Sequence, residues 1–158
     1  MAGWVVLRDT AEHEGHGWVF DRRTRGCEGT RDANLFTGDY TIEGWESRLI
    51  VERKGSVLEY AHNLVEDRWY DVLGRLSGFD FAHVVLEFSL DDLAKFPFTS
   101  AVPFSVRRKL KTRGNFLLRA HIESELRYPR VRWHFASTSG KAYVASVFKR
   151  AWEGTLAA

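Results

Sequence analysis

Residues 38–76 read GDYTIEGWESRLIVERKGSVLEYAHNLVEDRWYDVLGRL. Two β-like runs, Asp39 to Ile42 and Leu49 to Arg53, are joined by Glu43, Gly44, Trp45 and Glu46, where Gly44 can take a positive φ. From Gly55 the period changes. Leu58, Ala61, Val65, Trp69, Val72 and Leu76 recur at steps of three and four, which predicts a single amphipathic helix from Gly55 to Leu76, ended by Gly78. A hairpin that runs straight into a helix is the nucleus around which the rest of the chain is read.

Upstream, Trp4 to Leu7 reads as a short apolar strand leading into the acids Asp9 and Glu12, and Gly15 to Gly29 reads as irregular. Downstream, Phe81 to Phe88 is apolar enough for a buried central strand, and Ser89 suits the N-cap of a brief helix through Asp91, Asp92 and Leu93. A longer helix is expected from near Pro103 to just before Pro129, bent at Gly114. Val131 to Phe135 alternates like a strand, and Ser139 to Trp152 has a helical pattern. Strands separated by helices predict an α/β fold, a central mixed sheet flanked by helices.

Size and composition agree with one domain over residues 1–158. A hydrophobic fraction of 44% is ample for a core without disulfides, and the single Cys27 can form none within the chain. That thiol suits a reducing, cytoplasmic setting. No run approaches the roughly 20 apolar residues of a membrane helix, and Met1 to Asp9 shows no signal-peptide pattern, so no membrane partner is expected. A net charge of +2 permits a nucleic-acid partner without demanding one, but Arg107, Arg108, Lys109, Lys111 and Arg113 crowd together with no acid among them.

Alternate side chains of a strand share a face, so Glu52 and Lys54 point one way and Arg53 the other. A carboxylate and an ammonium beside Asp39 make a sensible metal site, because Mg²⁺ is hard, prefers oxygen and takes one or two protein carboxylates. Asp39 and Glu52 would be ligands. The metal would acidify a water and neutralise a phosphate, and Lys54 would orient that water or stabilise developing negative charge. Acid–x–Lys alone also describes an ordinary surface strand, but here apolar Ile50 and Val51 lead directly into the charges.

The stretch GDYTIEG…LIVERKGSVLEYAHNLVEDRWYDVLGRL resembles the nuclease domain of XPF-type structure-specific endonucleases, a branch of the PD-(D/E)XK superfamily. Gly38-Asp39 and Glu52-Arg53-Lys54 match the Gly-Asp and Glu-Arg-Lys parts of that family's signature. Glu59 falls at its following acidic position after one inserted residue. Asp67-Arg68-Trp69-Tyr70 resembles a Gly-Arg-Leu-Tyr-like segment, and Asp9-Thr10-Ala11-Glu12 resembles an upstream Asp-x-Arg-Glu, with Ala11 where Arg is usual. HVVLEFSLDDL is similar to the strand and helix that follow in small bacterial and phage relatives.

The resemblance implies a restriction-endonuclease-like fold and a Mg²⁺- or Mn²⁺-dependent endonuclease acting on branched or flapped DNA, in repair or recombination. It implies Asp39, Glu52, Arg53, Lys54 and Glu59 as catalytic residues, and Asp39, Glu52 and Asp9 at the metal. It implies pairing with a second nuclease domain, as a homodimer or heterodimer. Separately, a cytoplasmic or nucleoid-associated location is expected. The helix-hairpin-helix region of larger members has no counterpart in these residues.

Alternatives stand beside these readings. Asp9 also suits a strand-end cap. Arg53 suits an ion-pair partner or a phosphate contact. Arg68, and the cluster from Arg107 to Arg113, are DNA-phosphate contacts or solvated helix charges. His13 and His16 lack the further soft ligands a metal would need, and Cys27 lacks a His partner. At the level of function, the rivals are a non-catalytic DNA-binding or scaffold subunit on the same fold, and a restriction or junction-resolving nuclease.

Overall fold

A computed structural model describes residues 3–12 and 17–156, so His13 and His16 lie outside the described residues. The strands are β1 (Trp4–Asp9), β2 (Cys27–Ala33), β3 (Tyr40–Ile42), β4 (Leu49–Lys54), β5 (Phe81–Leu86) and β6 (Val131–Phe135). The helices are α1 (Val57–Leu64), α2 (Asp67–Leu76), α3 (Leu90–Ala94), α4 (Phe104–Arg107), α5 (Gly114–Arg127) and α6 (Gly140–Leu156), with a 3-10 turn at Thr10–Glu12.

One six-stranded mixed sheet has the order β2-β1-β3-β4-β5-β6. β3 runs antiparallel to both β1 and β4, while β1–β2, β4–β5 and β5–β6 are parallel. The carboxyl ends of β1, β4 and β5 and the amino end of β3 therefore meet at one end of the sheet. Both faces are covered, as a sheet with a parallel half requires. On one face Ile50, Val84 and Leu86 pack with Tyr60, Leu73, Leu93 and Leu117 of α1, α2, α3 and α5. On the other, Tyr40, Val51 and Val85 pack with Val144 and Phe148 of α6 and with Trp18 and Phe20. This is the α/β arrangement expected from the alternation of strands and helices.

Three local expectations are corrected. Cys27–Ala33, of which Cys27 to Gly29 falls in the stretch expected to be irregular and the remainder in no expected element, is the edge strand β2 paired to β1. The helix expected from Gly55 to Leu76 is two helices. Val65 and Glu66 leave the helical region, Glu66 being extended at φ −108°, ψ 128°, and the Tyr70 hydroxyl donates to the freed Leu64 carbonyl at 2.8 Å. The break shifts the phase of the apolar stripe by one residue: Val57, Ala61 and Leu64 are buried in α1, then Trp69, Leu73 and Leu76 in α2, while Val65 is exposed. An unbroken helix would have turned Arg68 inward. Finally, the helix expected from Pro103 to Pro129 is α4 and α5 separated by residues 108–113. Gly114 opens α5 with its amide on the Phe96 carbonyl, and a Cβ there would meet the Ala94 oxygen at 2.0 Å.

Candidate active site

Gly38 is the local reason that Asp39 stands where it does. Its φ is +78°, and a Cβ at that position would come within 2.3 Å of Ile50 Cγ1, so only glycine lets the chain turn this close to β4. Asp39 follows with its amide donating to the Val51 carbonyl at 2.8 Å, and its Oδ2 accepts from the Arg53 amide at 2.7 Å. Backbone pairing thus clamps the carboxylate against the strand that carries Glu52 and Lys54.

Those two side chains share a face, as the period of a strand demands. Glu52 is 9% exposed and Lys54 7%, and Lys54 Nζ lies 3.0 Å from Glu52 Oε1. The ammonium also lies 3.8 Å from Glu59 Oε1 and 4.6 Å from the centre of the Trp69 ring. Glu59 is held in the first turn of α1: its amide donates to Ser56 Oγ at 3.1 Å, and its Oε2 accepts from the Gly55 amide at 3.0 Å. A carboxylate in a first turn also suits the positive end of the helix.

Electrostatics show that these groups feel one another. Burial, then the nearby Glu52 and Glu12 carboxylates, push Asp39 well above the usual carboxylate range, against the Arg53 amide and Lys54. Burial likewise raises Glu52, opposed by Lys54 and reinforced by Glu12 and Glu59. Burial works against the Lys54 ammonium, but Glu52, Glu59 and Asp39 outweigh it and hold its pKa above the ordinary lysine value. Two buried acids and one cation leave a surplus of negative charge.

Arg53 faces the other way. Its Nε donates to Glu87, its Nη1 lies 3.4 Å from Glu12 Oε2, and its guanidinium sits 4.9 Å over the Trp18 ring. It is placed as an ion-pair partner, across the sheet from Lys54. Asp9 is placed as a strand-end cap: Oδ1 accepts from the Leu35 amide at 3.0 Å and Oδ2 from the Ala11 amide at 3.2 Å.

The acid that sequence reasoning left out of the site is Glu12. Its Oε2 accepts from the Tyr40 hydroxyl at 2.8 Å, and that hydroxyl oxygen in turn accepts from the Trp18 amide at 2.7 Å. Glu12 raises both Asp39 and Glu52. The Asp9-x-x-Glu12 spacing was the available signal. Among the described residues no group of three or more His, Cys, Asp or Glu side chains is arranged to hold a metal, so the donor set on offer is the Asp39–Glu52 pair, hard oxygens in a number that suits Mg²⁺.

The remaining candidates lie apart. Arg68 is exposed on α2, 3.6 Å from Glu66. Arg107 ends α4, donating to the Thr99 and Val102 carbonyls at 2.9 and 3.0 Å, whereas Arg108, Lys109, Lys111 and Arg113 occupy the connection to α5 and are exposed. All of the cluster but Arg107 is therefore on a connecting loop, within the stretch expected to be one helix. Cys27 is buried and burial pushes its thiol up, which opposes a nucleophilic thiolate.

No protein-family model matches the sequence, and no curated protein matches it. Solved structures do. XPF from Aeropyrum pernix superposes with a TM-score of 0.63 at 21% identity, covering 93% of this chain and 60% of that one. XPF from Aeropyrum pernix in complex with DNA superposes with the same score and identity, covering 96% of this chain and 66% of that one. The chain spans about three fifths of the first of these relatives. The mixed six-stranded sheet flanked by helices is an XPF nuclease-like fold.

Proposed function

We propose that this chain is a metal-dependent endonuclease that hydrolyses DNA phosphodiester bonds, with branched or flapped DNA as the preferred substrate. The observation that carries the reading is the convergence of Asp39, Glu52 and Lys54 at one end of the sheet, two acids raised by burial first and then by neighbouring carboxylates, beside a buried ammonium. Surplus negative charge from hard oxygen donors is what a divalent cation relieves, and the pair fits Mg²⁺ or Mn²⁺. When bound, such a cation supplies charge against the scissile phosphate and acidifies a water.

The protein's own residues do the rest. Asp39 and Glu52 hold the cation. Lys54 is a cation at neutral pH, so it stabilises negative charge developing on the phosphate and does not serve as a base. Glu52 and Glu59 keep that ammonium in place. Arg53 braces Glu12 and Glu87 behind the strand, so that β4 presents its acids in a fixed register. Arg107, Arg108, Lys109, Lys111 and Arg113 offer a sequence-independent grip on phosphates, and Arg68 a further contact. A second nuclease domain, identical or not, completes the assembly by analogy of fold.

The test is nicking of flap, fork, junction and linear DNA in Mg²⁺ and in EDTA, with Asp39→Asn and Lys54→Ala beside wild type. Each variant should lose at least about a hundredfold in rate, and EDTA should abolish cutting. A folded wild type that binds DNA and nicks none of the four overturns the enzyme reading in favour of a non-catalytic subunit. Cutting confined to one short sequence favours a restriction enzyme.

A further inference from the structure

We propose that Phe98, Phe104 and Phe116, with the basic residues among them, form a platform that stacks the bases of single-stranded DNA. This rests on the nuclease reading for its biological setting, but its physics is independent of any cutting.

Three phenylalanines are left in water on one short stretch: Phe98 is 61% exposed, Phe104 75% and Phe116 43%. Each carries a guanidinium at its ring, Arg113 over Phe98 at 5.4 Å, Arg107 over Phe104 at 5.4 Å and Arg119 over Phe116 at 5.7 Å. The three sites are linked through Arg113 and Arg107, and the Phe116 amide donates to the Arg113 carbonyl at 3.1 Å. Arg113 spans from the start of α5 back to Phe98, and Arg107 ties Phe104 to Thr99, the neighbour of Phe98, through its bond to the Thr99 carbonyl.

Charge narrows the occupant. Between Phe96 and Ile122 the chain has six Lys or Arg residues and no Asp or Glu, and among the described residues none of the six forms an ion pair with a carboxylate. A patch meant for an apolar protein helix would not carry six uncompensated cations around its rings. A polyanion with flat π-faces matches both features, and single-stranded nucleic acid is such a ligand: phosphates meet the cations while unstacked bases lie on the rings. In a duplex the bases are stacked on one another and unavailable to phenylalanine.

Position supports the assignment. The segment leaves the carboxyl end of β5, where the Glu87 amide donates to the Lys54 carbonyl at 2.9 Å, so it departs from the same end of the sheet as the acid pair. The Gly114 amide, on the Phe96 carbonyl at 2.9 Å, ties the start of α5 back to this segment, an arrangement that suits a substrate with a single-stranded arm next to a duplex.

The experiment is binding in EDTA, where no cutting occurs, of a labelled oligothymidine of about 20 nucleotides and of a duplex of equal length. The F98A/F104A/F116A variant should lose at least about thirtyfold in affinity for oligothymidine, since each platform is worth on the order of tenfold, while duplex affinity moves less than about threefold. F98L/F104L/F116L keeps apolar bulk without a π-face and should bind oligothymidine as weakly as the alanine variant. R108A/K109A/K111A should weaken both ligands and flatten the salt dependence by roughly two units of log–log slope. Because the rings are exposed, unchanged circular dichroism and melting are expected in all variants. The proposal is overturned if the leucine variant binds oligothymidine like wild type, if single-strand and duplex affinity fall together in the alanine variant, or if that variant turns a dimer into a monomer at unchanged oligothymidine affinity. Oligothymidine binding that depends on the rings, with no nicking of any substrate, leaves the platform standing and removes only the nuclease reading.

Discussion

The two faces of β4 carry charges of the same kind and use them differently. On the face turned to α1 and α2, Lys54 meets Glu52 and Glu59, with Asp39 also acting on it, and burial drives the Asp39 and Glu52 carboxyls upward. On the face turned to Trp18, Arg53 lies between Glu12 and Glu87, a guanidinium whose flat fork can serve two acids at once. One face sets three carboxylates against a single ammonium, whereas on the other a single guanidinium reaches both of its acids. Strand alternation keeps a site that wants a cation from being neutralised by the arginine next to it in sequence. The contrast can be broken by removing charges from each face in turn.

The largest effect is expected behind the strand. Arg53→Ala leaves Glu12 and Glu87 without their shared partner in a setting where the side chains are only 15–20% exposed. A loss of about 3 kcal/mol is expected, the low end for breaking a buried pair from one side, or on the order of 10 °C in melting temperature. Arg53→Lys should recover less than half of it, because an ammonium lacks the fork. Denaturant unfolding measures this, and a loss under about 1 kcal/mol, the worth of an exposed pair, would show that Arg53 is not a brace.

On the site face the sign reverses. Asp39 has its folded pKa raised, so in the metal-free protein the folded state favours its protonated form more than the unfolded state does. Ionised Asp39 is thus a destabilising charge at neutral pH, and Asp39→Asn should gain roughly 0.5–2 kcal/mol of stability in EDTA while losing the activity. Because the folded state binds the extra proton between the unfolded and the raised pKa, wild type should regain that stability as pH falls through this interval, and the gap between variant and wild type should close. Taking the difference cancels His83, whose imidazole is pushed down to about 4, by burial first and then by His134 and Arg132, and which costs both proteins stability over the same acid range. A gap that stays constant from neutral pH to about pH 4 contradicts the charge-surplus account.

These faces were also the most legible part of the chain, for a physical reason. Gly38 and Gly44 mark turns, and the two-residue period of Leu49–Lys54 sorts Glu52 and Lys54 from Arg53 without further information. What escaped reading depends on partners distant in sequence. Cys27–Ala33 has no apolar alternation, only Cys27 being buried, and it is a strand because β1 supplies its ladder. The break at Val65 and Glu66 involves neither Gly nor Pro and is visible only as a one-residue slip in the buried stripe. Glu12 meets Tyr40 and Arg53 from 28 and 41 residues away, so its motif spacing hinted at importance without disclosing which face it served. The basic cluster was legible as composition, but its loop geometry and its exposed phenylalanines were not.

Glu59 lies between the two cases, and it gives the smallest effect and the finest discrimination. The resemblance sets it at an acidic position of the site, yet its Oε2 is occupied by the Gly55 amide, and its Oε1 is 3.8 Å from Lys54 on a side chain nearly half exposed. If it only steadies α1 and Lys54, Glu59→Gln keeps an acceptor for the Gly55 amide and forfeits a partly exposed ion pair, which is worth under about 1 kcal/mol. Nicking should then fall by about fivefold or less, with stability almost unchanged. Glu59→Ala, which also strips the contact at the helix start, should cost about 1 kcal/mol of stability. If instead Glu59→Gln cuts the rate a hundredfold and weakens Mg²⁺ dependence as Asp39→Asn does, the carboxylate is a third acid of the site, and the inserted residue before it has not moved it out of reach.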